Sequence, residues 1–134
     1  MEEIMRFRGK NKKVSAFAHE VEKMLAADGY TTQSTKAPSG IIIQARKEGV
    51  LRDIFAANRA FTILVRGKPD DFTVKIGVGK FVQNLAVTAG EALVLSELFL
   101  TIDVPEMIWT QAVKEGIAKD IENLANSQAQ AIKA

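Results

Sequence analysis

The chain has 134 residues, 47% hydrophobic and 25% charged, and is predicted to form one globular domain over residues 1–134. It has no cysteine, which excludes disulfides, thiolate metal sites and cysteine nucleophiles. The net charge of +2 is unevenly distributed: residues 36–68 hold seven basic and two acidic groups, whereas residues 69–134 hold five basic and nine acidic groups. No apolar signal segment precedes the domain, so we expect a cytoplasmic protein.

The first predicted element is a helix over residues 13–28. Its apolar residues, from Val14 to Leu25, recur on one side, and Gly29 is a natural C-terminal stop because glycine adopts the left-handed conformation at little cost. Residues 1–12 form an arm before it. Within that arm, the pattern of residues 4–8 does not decide between a strand and an ordered extension.

Four strands are predicted between residues 30 and 78. They cover residues 30–36, 41–46, 60–66 and 72–78. The sequence alternates so that Ile41, Ile43 and Ala45 share one face of the second strand. Residues 50–57 break the alternation and predict a short helical turn. Because most of the strands are joined by tight turns, we expect an antiparallel meander.

Residues 80–102 predict a long helix that is apolar around most of its circumference. A membrane span is disfavoured, because Glu91 and Glu97 would each cost about 2.5–3.5 kcal/mol at the bilayer centre. The two carboxylates point about 120° apart on a helix, so they do not form an acid–base pair. Alternative interpretations are a buried Glu91 with a raised pKa, and peripheral contact of the helix with a membrane surface.

The last helix is predicted over residues 104–126, with Asp103 and Glu106 as a capping box around Pro105. Residues 127–134 are expected to fray. The apolar face of this helix is predicted to consist of Trp109, Val113, Ile117 and Leu124, with Ile121 at its edge. The resulting fold class is α+β: an N-terminal helix, a four-stranded antiparallel meander and two C-terminal helices in a two-layer sandwich.

Motifs for metal, nucleotide or acid–base chemistry are incomplete. The run 77–80, Gly-Val-Gly-Lys, is followed by Phe81 where a phosphate-binding loop needs serine or threonine, so a glycine-rich strand exit is the favoured interpretation. His19 is the only histidine and is predicted to face solvent. We therefore expect no cofactor, no metal and no enzymatic activity.

A basic patch is predicted on the strands. Its candidates are Arg46, Lys47, Arg52, Arg59, Arg66 and Lys68. Sheet-type nucleic-acid binding also needs exposed aromatic residues for base stacking, and Phe61 is the one candidate on the outer face. The pattern predicts at most weak binding of anions or nucleic acid.

Three runs, IIIQARKEGVLRDIF, AFTILVR and FTVKIGVGKF, resemble a group of small uncharacterised prokaryotic α+β domains. The resemblance extends to Thr88-Ala89-Gly90 in the apolar segment and to Pro105-Glu106 at the last helix, and covers roughly residues 14–120. It implies the α+β fold, provides no catalytic residues, and implies an apolar segment that at times looks membrane-associated.

Three functional hypotheses follow. The first is a non-catalytic interaction module that forms a homo-oligomer through helix 80–102, with Val87, Val94 and Leu98 at the interface. The second is a carrier that holds a lipid or small apolar ligand between that helix and the sheet. The third is a weak anion or nucleic-acid binder that uses the basic strands.

Overall fold

The structure is a computed structural model that describes residues 2–47, 58–85, 98–101 and 104–127. An antiparallel sheet contains β1 (Glu3–Arg8), β2 (Thr31–Ala37), β3 (Gly40–Arg46), β4 (Arg59–Lys68) and β5 (Asp71–Lys80). Its five strands lie in the order β1-β5-β4-β3-β2. Helix α1 (Val14–Ala27) lies between β1 and β2 in the chain, and helix α2 (106–126) follows the sheet. The predicted α+β class with an antiparallel sheet is confirmed.

Strand β1 is the main addition to the predicted sheet. Its register places Phe7 opposite Phe72 and Arg8 opposite Asp71 on β5. Phe7 is buried and packs its ring against Phe17 and Phe72, with ring centroids 6.4 and 5.4 Å apart. Residues 3–8 of the N-terminal arm thus form a strand, and Phe7 of this strand is part of the core.

We call the side of the sheet that α1 and α2 cover the front face. Phe17 and Leu25 of α1 and Trp109 and Ile121 of α2 are almost fully buried there. The strand residues beneath them are Ile43, Ala45, Phe61, Ile63, Val65, Phe72, Val74, Ile76 and Val78. The inward faces predicted for residues 41–46 and 72–78 are therefore confirmed. Phe61, expected on the outer face as a base-stacking residue, is fully buried in this core.

The opposite side, the back face, carries a second apolar cluster. Ile42 and Leu64 of the sheet pack with Leu85 and Leu98, and all four are at least 95% buried. Apolar residues are therefore buried on both faces of the sheet, whereas the predicted sandwich has one apolar face. The sequence shows the reason in β3 and β4, where consecutive apolar residues point to alternate sides, as in strands buried on both faces.

The predicted helix 80–102 does not begin at Lys80, because β5 continues to that residue. Leu85 and Leu98 have helical backbone, whereas Leu100 and Thr101 do not. The intervening residues 86–97 lie outside the described residues, so the predictions for Val87, Glu91, Val94 and Glu97 are not addressed. The same holds for the helical turn at 50–57 with Arg52, and for residues 102–103 and 128–134.

Helix α2 begins at Glu106 with Pro105 in the N-cap position, so the helix starts two residues later than predicted. Asp103, predicted as the cap, lies outside the described residues. Its middle, Thr110–Ile117, is a π-helix between the α-helical Glu106–Trp109 and Ala118–Asn126. The buried stripe is Trp109, Val113, Ile117, Ile121 and Ala125. An α-helix advances such a four-residue spacing by about 40° per step, and the wider π turns offset that drift. Ile121 is therefore central to the face, and Leu124 lies at its edge.

Candidate ligand groove on the back face

Buried amide side chains fix the chain after β5 to the back face. Gln44, fully buried on β3, accepts hydrogen bonds from the Val82 backbone N–H and from the side-chain amide of Gln33, at 3.0 and 3.2 Å. Its own amide donates to the Lys80 carbonyl at 2.8 Å and to the Thr62 hydroxyl at 3.2 Å. All its polar atoms are thus satisfied, as burial requires. The Gln44 side chain therefore fixes the Lys80 carbonyl and the Val82 N–H where the chain leaves the sheet.

Gln33 on β2 also binds the backbone of the chain after β5. Its amide donates to the Val82 carbonyl, and its side-chain oxygen accepts from the Leu85 backbone N–H at 3.2 Å. Because Gln33 and Gln44 lie opposite each other in register, the two side chains act together on residues 82–85. Sequence reasoning missed this pair, since each glutamine alone looks like a solvent-facing position in an alternating strand.

Close backbone contact explains the glycines of β5. A Cβ atom at Gly79 would overlap the backbone of Leu98, and one at Gly77 would lie 2.7 Å from the Phe99 ring. The Leu100 backbone N–H also donates to the Val78 carbonyl at 2.8 Å. These glycines lie inside a paired strand, opposite Thr62 and Ala60, so they do not form a phosphate-binding loop. Their role is to let residues 98–100 lie flat on the sheet.

An apolar groove of about 350 Å³ opens beside this contact, between Phe99 and the sheet. Its apolar walls are Ile4 of β1, Leu64 of β4 and the half-buried ring of Phe99. Ile4 is 63% exposed, one of two large apolar side chains with high exposure among the described residues. The remaining lining residues are Glu2, Arg66, Thr73 and Lys75. Its volume is at the lower end of the range typical of small-molecule sites.

Lys75 holds the rim of the groove. Its ammonium group lies 4.4 Å from the centroid of the Phe99 ring and 3.1 Å from the Glu2 carboxylate. The cation–π contact and the ion pair together connect β5, residues 98–101 and the chain before β1. Lys75 therefore positions the Phe99 wall, and its charge is partly neutralised by Glu2.

Beside the groove, the strand register places Thr73 between two arginines. Thr73 of β5 is opposite Arg6 of β1 on one side and Arg66 of β4 on the other. Because neighbouring strands are about 4.8 Å apart, the two arginine Cα atoms are separated by about 10 Å. Arg66 and Thr73 also line an adjoining, more open groove of about 610 Å³, bounded by the turn at residues 38–40. We call Arg6, Thr73 and Arg66 the Arg–Thr–Arg row.

The two arginines of this row differ in their partners. Arg6 forms a two-point ion pair with Asp71, at 2.9 Å from Nε to Oδ1 and 2.7 Å from Nη2 to Oδ2. These hydrogen bonds, with the nearby charges of Arg8 and Lys68, lower the pKa of the Asp71 carboxyl below its ordinary value. Arg66 is exposed and has no acidic partner among the described residues. It is therefore the cation of the row best placed to bind an external anion.

The predicted basic patch is divided in two. Arg59 and Arg66 lie seven residues apart on β4, or about 24 Å at 3.4 Å per residue. At the Arg59 end, the Arg46 guanidinium donates to Asn58 at 2.9 Å and stacks over Phe81. Arg66 and Lys68 belong to the opposite end, with Arg6 and Arg8. Sequence reasoning missed Arg6 and Thr73, although the outward positions of 72–78 could have indicated Thr73.

A second cleft, of about 290 Å³, lies on the front side between Tyr30 and α2. Tyr30 packs against Phe61, with ring centroids 6.1 Å apart, and the Lys47 ammonium group lies 5.3 Å from its ring centroid. Burial, and to a lesser degree the charge of Asp28, raise the pKa of the Tyr30 phenol. Lys47, a candidate of the basic patch, is therefore engaged with an aromatic ring.

Leu98 does not offer the oligomer surface predicted for it, because it is 99% buried against its own sheet. In the part of the chain that the structure describes, no helix has the length and apolarity needed to cross a membrane. Within the same residues, no cluster of histidine and carboxylate side chains is placed to hold a metal ion. His19 is exposed on α1.

Comparisons of the chain with protein-family models, with curated proteins and with solved structures found no match. The resemblance to small prokaryotic α+β domains therefore stays a prediction.

Proposed function

We propose that the protein is a non-catalytic carrier that binds a lipid-like or small apolar ligand in the back-face groove. This is the second of the three hypotheses drawn from the sequence. The observation that supports it best is the apolar opening between Phe99, Leu64 and the exposed Ile4. An exposed apolar side chain at the mouth of a concave apolar site is a common feature of ligand pockets.

Self-association is less well supported by the described residues. Of its three interface candidates, Leu98 is buried within the subunit, and Val87 and Val94 lie outside the described residues. Nucleic-acid binding is also less well supported. Phe61, the predicted base-stacking residue, is in the core, and the basic residues are divided between the two ends of β4. Ligand binding in the groove, by contrast, requires neither a second subunit nor an exposed aromatic residue.

The test is binding of N-phenylnaphthylamine, an uncharged apolar dye that becomes fluorescent in apolar sites, with displacement by decanol. We expect saturable binding with one site per chain. Ile4→Gln should weaken it about fivefold or more, since about 1 kcal/mol of apolar contact is lost. Met107→Gln is the matched control, because Met107 is 73% exposed and belongs to α2 on the other side of the sheet.

Light scattering on the same samples separates a ligand site from an interface. A wild-type dimer that Ile4→Gln converts to a monomer would show that a second copy covers the groove, and the carrier proposal would be wrong. Equal dye binding by wild type and Ile4→Gln would also contradict it.

A further inference from the structure

We infer that the ligand of this groove carries a phosphate monoester head group, which the Arg–Thr–Arg row binds beside the apolar walls. The inference rests on the proposed function and specifies its ligand as a single-chain alkyl phosphate. It starts from the register, which puts a row with two apolar residues and a row with two arginines side by side on the same three strands. Ile4, Lys75 and Leu64 form the first row, and Arg6, Thr73 and Arg66 form the second.

The two grooves adjoin at shared side chains. Arg66 and Thr73 line both the apolar groove and the more open one that extends to the turn at residues 38–40. A chain lying along Ile4 and Phe99 therefore ends at these two side chains. An amphiphile with its polar head at that end contacts both regions, whereas a purely apolar ligand provides no anion for Arg66.

The charge around the polar end favours an anion. This end of the sheet carries four cations, Arg6, Arg8, Arg66 and Lys68, and two carboxylates, Asp71 and the neighbouring turn residue Asp70, which is an excess of two positive charges. The ion pair with Asp71 occupies only part of the donor fork of Arg6, and Arg66 has no acidic partner in the described part of the chain. Such a site attracts negative charge.

The geometry favours a tetrahedral oxyanion. A phosphate monoester presents three oxygens, which can accept hydrogen bonds from two separate guanidinium groups and from the hydroxyl between them. A carboxylate presents two oxygens in one plane and matches a single arginine fork. We therefore expect phosphate to bind more tightly than carboxylate at this row.

The experiment measures displacement of N-phenylnaphthylamine by decyl compounds below their critical micelle concentrations. Decyl phosphate should bind about tenfold or more tightly than decanol, the effect of at least one charge-assisted hydrogen bond. Decanoate should fall between them, and decyltrimethylammonium should bind more weakly than decanol. Isothermal titration with inorganic phosphate provides the head group without the chain, and we expect weaker binding than for decyl phosphate.

Variants separate the head-group site from the chain site. Arg66→Gln should remove most of the preference for decyl phosphate over decanol, because the exposed cation is lost whereas the apolar walls formed by Ile4, Leu64 and Phe99 remain. Arg59→Gln, at the far end of the same strand, is the matched control and should leave both affinities unchanged.

The outcomes distinguish the two claims. If decanol binds as tightly as decyl phosphate, or if Arg66→Gln leaves the preference intact, the head-group inference is wrong and the carrier proposal stands. If no decyl compound displaces the dye, the carrier proposal itself fails. If inorganic phosphate binds as tightly as decyl phosphate, the chain contributes nothing and the row is a plain anion site, which overturns both.

Discussion

Replacing Gln44 by methionine tests whether buried hydrogen bonds, rather than apolar contact alone, fix the chain after β5 to the sheet. Methionine has a similar length and volume, so the change removes the polar atoms and leaves little cavity. The wild-type side chain takes part in four hydrogen bonds and is fully buried. The substitution leaves the Val82 N–H and the Lys80 carbonyl without these bonds.

The expected cost follows from those bonds. A neutral hydrogen bond contributes about 1 kcal/mol net, and each buried group left without a partner costs about 1–3 kcal/mol. Because the bonds share one side chain, they do not add fully, and we expect Gln44→Met to lower the free energy of unfolding by about 3–4 kcal/mol. Thr62→Val removes only the hydroxyl that Gln44 contacts at 3.2 Å, and should cost about 1 kcal/mol.

The assay is urea denaturation followed by the fluorescence of Trp109, the single tryptophan, which is buried on the front face. The informative quantity is the ratio of the losses in free energy of unfolding caused by Gln44→Met and by Thr62→Val. A general loss of packing would make these two losses similar. A Gln44→Met protein within about 0.5 kcal/mol of wild type, the range of ordinary surface changes, would refute the anchoring role.

Three further predictions concern other contacts. Gly79→Ala should lower the free energy of unfolding in urea by about 1–3 kcal/mol, because a Cβ there meets the Leu98 backbone, and an unchanged midpoint would contradict that contact. Asp71 has a pKa lowered chiefly by its hydrogen bonds to Arg6, so its stabilising effect should be present above the unfolded carboxyl pKa of about 3.9 and be lost as the pH falls through the folded pKa. Asp71→Asn should therefore have a lower urea midpoint than wild type at neutral pH but not at strongly acidic pH; a difference independent of pH would refute this assignment. Tyr30 is the only tyrosine, so phenolate absorbance reports on it alone, and its pKa should lie above that of free tyrosine. Asp28→Asn should reduce that elevation without abolishing it, because burial is the larger cause; a Tyr30 that titrates like free tyrosine would contradict its burial.

Local patterns were sufficient for most of the sheet and for the first helix. The helix predicted over residues 13–28 is observed as Val14–Ala27, and the alternation of residues 41–46 correctly assigned Ile42 and Gln44 to one face and Ile43 to the other. These features depend on neighbours within a few residues along the chain. They are visible in the sequence as an apolar period of two residues in strands and of 3.6 residues in helices.

Features that depend on distant partners could not be predicted in the same way. Strand β1 exists because its residues pair with β5, about 70 residues later, and its short sequence does not signal such a partner. The glycines at 77 and 79 looked like a strand exit, whereas they accommodate a segment about 20 residues further along. The Arg–Thr–Arg row likewise becomes visible only when three strands are placed in register.

The polarity of the back face changes along the strands. This change explains how one surface can both fix the chain after β5 and form the proposed groove. At one end, Gln33 and Gln44 bond the backbone of residues 82–85, so apolar contact is supplemented by directional bonds that fix a single position. In the middle, Leu64 and Leu98 close the face by burial alone. At the other end the Arg–Thr–Arg row is open, and Arg66 is exposed there. The proposed groove lies at the boundary between the second and third regions, where a ligand with an apolar chain and an anionic head meets both.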